Sequence, residues 1–172
     1  GYAIVHFAIS SKMSSTYQNA VIAAEEFEDV YVVDTANLST GEGLLVMKAA
    51  EMAMEGKEAK EIYEASCALA PYVDASFVID NLEYLHKGGR CSAVAAFGAN
   101  LLKLKPCIQV KDGAMGVCKK YRGKYIQTLR EYVAERLTDY SDIDLDRVFV
   151  THAGCDPEIV NQVVEQVKAP AP

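Results

Sequence analysis

No C-x-x-C pair occurs in this chain, and its five cysteines (Cys67, Cys91, Cys107, Cys118 and Cys155) are scattered and odd in number. That spacing excludes the usual zinc frameworks and a disulfide scaffold, and it reads as reduced thiols in a cytoplasmic protein. The three histidines, His6, His86 and His152, lie far apart without a ligand pattern, so no metal site is expected. No apolar run approaches a bilayer span, so stable membrane insertion is not expected. Positive charge is in short supply. Seventeen Lys and Arg stand against 24 Asp and Glu, a net charge of −7, which argues against nucleic acid as the main partner. There is neither a G-x-S-x-G elbow nor a Walker loop, and no catalytic constellation or cofactor signature. No secretory leader is visible, since Gly1 opens directly into a strand. The closing Ala169-Pro170-Ala171-Pro172 follows a helix directly, and both ends read as cut from a longer protein.

What is present is a hydrophobic half, 51% of 172 residues, enough for one large domain or two small ones. The apolar run Ala3-Ile4-Val5-His6-Phe7-Ala8-Ile9 has the length and content of a strand covered on both faces. Behind it Tyr17, Ala20, Val21, Ala24 and Phe27 recur at helical spacing. Between strand and helix sit five hydroxyls in seven positions: Ser10, Ser11, Ser14, Ser15 and Thr16. A helix N-terminus has unpaired N–H groups and a partial positive charge, so this loop suits a carboxylate or phosphate. The competing reading is that one serine only caps the helix.

A second strand, Val30-Tyr31-Val32-Val33, ends at Asp34-Thr35. Strand, helix, strand implies a parallel pair, which sets Asp34 beside the serine loop, at the edge where open α/β sheets bind ligands. Asp34 is therefore either a ligand-side group or a turn cap. Ser39-Thr40-Gly41-Glu42-Gly43 reads as a turn into a helix over about 44–54, stopped by Gly56. A helix over about 59–70 presents Ile62, Ala65 and Leu69 on one face and closes at Pro71. A domain boundary is placed there, giving residues 1–73 and 74–172.

The second half opens on a strand at Phe77-Val78-Ile79 and passes through Lys87-Gly88-Gly89-Arg90 into a small-residue helical stretch over 92–102. The Asp112-Gly113 pair between apolar runs signals a hairpin. A helix follows over about 123–137, with Ile126, Leu129, Val133 and Leu137 inward, then a strand over 147–151. Asp156-Pro157 opens a last helix with Val160, Val163, Val164 and Val167 as its stripe. Residues 87–124 hold nine basic residues and one acid, Asp112. Most of these lysines suit a solvated face, whereas Arg90 and Arg122 have the planar fork that fits phosphate or carboxylate.

With those residues in order, the chain resembles the DegV family of bacterial fatty-acid-binding proteins, some of which serve as the binding subunit of fatty acid kinase. The family's I-S-S-x-L-S-G-T-Y-Q-x-A is matched by Ile9-Ser10-Ser11-Lys12-Met13-Ser14-Ser15-Thr16-Tyr17-Gln18-Asn19-Ala20. V-x-D-S and S-x-G-x-G are matched by Val32-Val33-Asp34-Thr35 and Ser39-Thr40-Gly41-Glu42-Gly43. L-x-Y-L-x-K-G-G-R-I-S is matched by Leu82-Glu83-Tyr84-Leu85-His86-Lys87-Gly88-Gly89-Arg90-Cys91-Ser92. L-L-K-x-K-P and D-G follow at 101–106 and 112–113. The departures are Ser15 for a glycine, Thr35 for a serine, and the absence of the family's D-S-T, T-S-Q-P and H-T-G-x-G segments. His152 does not stand in for the histidine of that last segment.

The resemblance implies a two-domain α/β protein, a parallel sheet domain plus a second domain with a mixed sheet. A long-chain fatty acid would lie in an apolar tunnel between the domains. Its carboxylate would meet the serine corresponding to Ser14, helped by other hydroxyls. A separate kinase subunit would phosphorylate it, and Arg122 is implicated in that encounter. The alternatives are an enzyme acting on a small phosphorylated or carboxylated metabolite, with the loop as anion cradle and His152 as base, or a scaffold whose basic segment docks an acidic partner.

Overall fold

The structure is a computed structural model and describes residues 2–80, 87–88, 104–138 and 143–169. The elements run β1 (Ile4–Ala8), α1 (Thr16–Ala24), β2 (Val30–Asp34), α2 (Ser39–Met54), α3 (Ala59–Leu69), a 3-10 turn (Ala70–Tyr72), β3 (Ala75–Val78), β4 (Leu104–Lys111), β5 (Ala114–Arg122), α4 (Tyr125–Thr138) and α5 (Pro157–Lys168). The fold is α/β, with one two-stranded sheet, β1-β2, and one three-stranded sheet, β3-β4-β5. Two compact units divide the chain: Gly1–Ser76 with Gln109–Gly116, and Phe77–Ile108 with Val117–Pro172.

In the first unit β1 and β2 pair in parallel, with Ile4 opposite Val30 and Ala8 opposite Asp34. That level register brings both strands out at the same edge, so the loops after Ala8 and after Asp34 emerge side by side. Val33, Leu45, Ala49 and Ile62 are buried around the pair. Helix α3 packs on both strands, and Tyr63 lies against Tyr31 with ring centroids 5.6 Å apart. Ser66 sits buried on α3 without cost because its hydroxyl donates back to the Ile62 carbonyl at 2.7 Å.

Several expectations change here. β1 is not covered on both faces: Ile4 and His6, which alternate onto one face, are exposed, Val5 and Phe7 on the other are half-buried, and only Ala8 is buried. Phe27 lies past the end of α1 and is 63% exposed. Leu69 is exposed, and Ser66 takes its place on the inner face of α3. Helix α2 starts at Ser39 rather than 44, because Asn37 Oδ1 accepts the Leu38 N–H at 3.0 Å and the Leu38 carbonyl receives the N–H groups of Gly41 and Glu42. The glycines thus lie inside the helix's first turns and not in a preceding loop.

The hairpin β4–β5 turns on Asp112 (φ 51°) and Gly113 (φ 76°). Two consecutive positive φ values make a type I′ turn, the geometry that matches strand twist. In the second unit Cys107, Ile108, Tyr121 and Val133 are buried. Helix α4 turns Val133 inward as expected, with Ile126, Leu129 and Leu137 half-buried. The valine stripe of α5 is only half-buried. Asp156 caps α5 by accepting the Glu158 N–H at 2.8 Å. The strand expected over 147–151 does not form. Val148, Phe149 and Val150 are exposed and join neither sheet. β-branched residues favour extended backbone, but a strand also needs a ladder partner. The helical stretch over 92–102 and Arg90 lie outside the described residues.

Candidate functional site

The serine loop is built around its most buried member. Ser10 is 1% exposed, and its hydroxyl donates to the Gly113 carbonyl at 2.6 Å while accepting the Lys12 N–H at 3.3 Å. Its N–H donates to the Asn37 carbonyl, and its own carbonyl receives the N–H groups of Met13 and Ser14. Asp34 works from the neighbouring loop. Its Oδ1 accepts the Ser11 N–H at 3.1 Å and the Ala36 N–H at 2.9 Å. Ala36 is held at φ 48°, a left-handed conformation that needs such an anchor. Thr35, fully buried, donates to the Ala8 carbonyl at 2.9 Å and so joins the carboxyl ends of β1 and β2.

Of the remaining hydroxyl residues, Ser11 and Ser14 are half-buried and Ser15 and Thr16 are exposed. Ser14 Oγ and Thr16 Oγ1 are 2.7 Å apart at an exposed position, and Ser14 Oγ also accepts the Thr16 N–H at 3.2 Å. Ser14 thus takes the first N–H of α1 from the position before the N-cap, Ser15, whose own side chain makes no capping bond, and with Thr16 it forms an exposed hydroxyl pair at the helix start. Ser15 is exposed with φ −76° and ψ 3°, ordinary for any L-residue, so the backbone here does not need the family's glycine. Ser11 is half-buried. Ser10 Oγ and Asp34 Oδ1 are occupied by the protein's own backbone. The hydroxyls of Ser14 and Thr16 bond to each other at an exposed position.

Nearby, burial pushes the Glu42 carboxyl up, and His6 partly offsets this. Asn37 escaped sequence reasoning. It is 2% exposed, and its Nδ2 donates to the Val73 carbonyl at 3.1 Å. The only prior sign was a polar residue lodged between two turn-forming positions.

In the second unit Arg122 is exposed at the end of β5 and makes no ion pair among the described residues. The residue before it is locked. Buried Tyr121 donates its hydroxyl to Glu135 Oε2 at 2.6 Å. Lys119 pairs with Glu135 and lies 4.8 Å over the Tyr121 ring. Lys119 first, then Tyr121, hold the Glu135 carboxyl below the usual carboxylate range. Burial, then Glu135, push the Tyr121 hydroxyl far up. The Glu135 bonds therefore contribute in full above the ordinary glutamate pKa and fade as pH falls through the depressed value. The Tyr121 bond is present below the ordinary tyrosine pKa and is lost only above it. Tyr121→Phe is expected to cost about 1–2 kcal/mol at neutral pH. It should also flatten the acid limb of the stability curve below about pH 4.5, as read by urea denaturation across pH. An unchanged acid limb would show that Glu135 is not held through Tyr121.

No group of three or more His, Cys, Asp or Glu among the described residues is placed to hold a metal ion. No helix among them is long and apolar enough to cross a membrane. His152 is exposed in the second unit, before the cap of α5. These features define a class: an α/β protein with a hydroxyl-rich loop at the carboxyl edge of a parallel strand pair. The chain belongs to the DegV family, whose model, described as "Uncharacterised protein, DegV family", matches residues 1–172.

Among its relatives, a DegV domain-containing protein of Clostridium acetobutylicum is 43% identical over 125 residues, covering 72% of this chain and 45% of its own length. A protein of Thermotoga maritima named "Fatty acid-binding protein" is 32% identical, over 97% of this chain and 62% of its own. A solved structure titled as fatty acid binding of a DegV family protein from Thermus thermophilus superposes with TM-score 0.68 at 32% identity, over 81% of this chain and 50% of its own. The chain thus spans about half the length of the curated relatives it matches.

Proposed function

We propose that this protein binds one long-chain fatty acid, receives its carboxylate at Ser14 and Thr16, and presents it to a separate ATP-using kinase subunit. The observation that carries this reading is the division of the hydroxyls. Ser10, Asp34 and Thr35 brace the loop, which leaves Ser14 Oγ and Thr16 Oγ1 paired at 2.7 Å and open at the start of α1. Family membership and the fatty-acid-binding names of two relatives support a lipid over a small polar metabolite. Those relatives are named as binding proteins, not enzymes.

Energetics then assign roles. A dozen buried methylenes at roughly 0.8 kcal/mol each outweigh one head-group hydrogen bond of about 1 kcal/mol. The tail sets affinity, and the hydroxyls set orientation and chemistry. Arg122, a planar cation without an ion-pair partner among the described residues, is suited to the phosphate of the kinase reaction or to an acidic kinase surface. The unit formed by Gly1–Ser76 with Gln109–Gly116 would carry the head-group site, and Arg122 in the other unit would be a kinase-facing group.

Organic extraction of the purified protein followed by mass spectrometry is expected to yield acyl chains, and a polar metabolite alone would overturn the reading. Ser14→Ala is expected to slow handover to a kinase roughly tenfold while fatty-acid retention falls less than about fivefold, as the loss of one hydrogen bond allows. Retention that collapsed while transfer from the residual complex stayed normal would reverse the roles assigned here.

A further inference from the structure

The Asp112-Gly113 pair has so far served only as a hairpin turn. A type I′ turn accounts for glycine at φ 76°, but not for where this glycine sits. A Cβ built on Gly113 would stand 2.7 Å from Ser10 Oγ. The Gly113 carbonyl accepts a hydrogen bond from the Ser10 hydroxyl at 2.6 Å, across 103 residues of sequence. Both residues are buried. Ser10 in turn suspends the loop: its hydroxyl accepts from Lys12, and its carbonyl accepts from Met13 and Ser14.

We infer that the hairpin tip at Gly113 is a positioning element of the head-group site, setting the place of Ser14 through Ser10. This rests on the fatty-acid reading above and adds to it a specificity determinant outside the serine loop. Gly113 touches no ligand. Its carbonyl fixes the Ser10 hydroxyl, which directs the backbone that carries Ser14. Only glycine combines the positive φ with room for that approach. Loss of this contact should therefore be felt as poorer recognition of the carboxylate, with the tail contribution retained.

The test compares tetradecanoic acid with tetradecanol by competitive displacement of a fluorescent fatty acid. Wild type, Ser10→Ala, Gly113→Ala, the double variant and Ala114→Ser, an exposed control on the same hairpin, are each measured. Wild type and Ala114→Ser are expected to prefer the acid. Ser10→Ala and Gly113→Ala should each reduce that preference roughly five- to tenfold, the equivalent of about one hydrogen bond. Alcohol affinity should move less than about threefold, well short of the loss of even one buried methylene pair. Because both act through one bond, the double variant should fall no further than the worse single variant.

Single variants that keep the wild-type preference, or a double variant that shows the product of the two losses, would overturn the inference and leave the fatty-acid reading intact. A wild type that does not prefer acid over alcohol would overturn the head-group reading and this inference with it. Hydrogen exchange on the wild type gives a measurement that no folding defect can obscure. Tetradecanoic acid is expected to protect residues 10–16 and 111–114 together. Protection of the serine loop alone would overturn the inference.

Discussion

Asp34→Ala is expected to lower the unfolding free energy by about 3 kcal/mol, the cost of two hydrogen bonds to one carboxylate at a half-buried position. Asp34 Oδ1 holds the Ser11 and Ala36 N–H groups at 3.1 and 2.9 Å. Removal frees the start of the serine loop. It also frees Ala36, whose φ of 48° has an intrinsic cost of about 1 kcal/mol that the native contacts offset. The variant should lose carboxylate recognition as well as stability, because the loop that Asp34 braces carries Ser14 and Thr16. Asp34→Asn keeps an acceptor oxygen and should retain about half of the stability. Chemical denaturation of the three proteins checks this. An Ala variant within about 0.5 kcal/mol of wild type, the usual range of an inert surface change, would show that Asp34 does not brace the loop.

Gly41→Ala is expected to destabilise the first unit by about 2–4 kcal/mol, against the ordinary gain of about 1 kcal/mol for alanine over glycine in a helix. The added Cβ would fall 2.2 Å from Asn37 Oδ1 and 3.0 Å from Ala75 Cβ. Asn37 cannot give way freely, since it is buried and bonds both the Leu38 N–H and the Val73 carbonyl. Gly56, which has open space around its missing Cβ but a φ of 84°, supplies the contrast. Alanine there should cost only the backbone term of about 1 kcal/mol. Equal losses at the two sites would mean that Asn37 relaxes without breaking its bonds.

Local chemistry made much of this protein legible. Alternating strand and helix signals, the Asp-Gly turn and the Asp156 cap each act over a few residues, so their positions could be read directly. The clustering of hydroxyls between β1 and α1 pointed to an anion site for the same reason. What could not be read was the use to which each hydroxyl is put. Ser10 and Ser14 look alike in sequence, yet one is buried against a carbonyl 103 residues away and the other faces solvent. Phe27, Leu69 and residues 147–151 had the right pattern but lacked a neighbouring surface or strand.

Sequence alone determined the α/β order, the parallel strand pair that aligns its two loops, and membership of the DegV family. It left open which polar groups of that loop are structural and which are available, because burial and pairing depend on partners that folding brings from elsewhere in the chain. The backbone carbonyls of Gly113 and Asn37 are those partners, and the hydrogen bonds they accept from Ser10 turn a run of serines into a braced loop with an exposed hydroxyl pair.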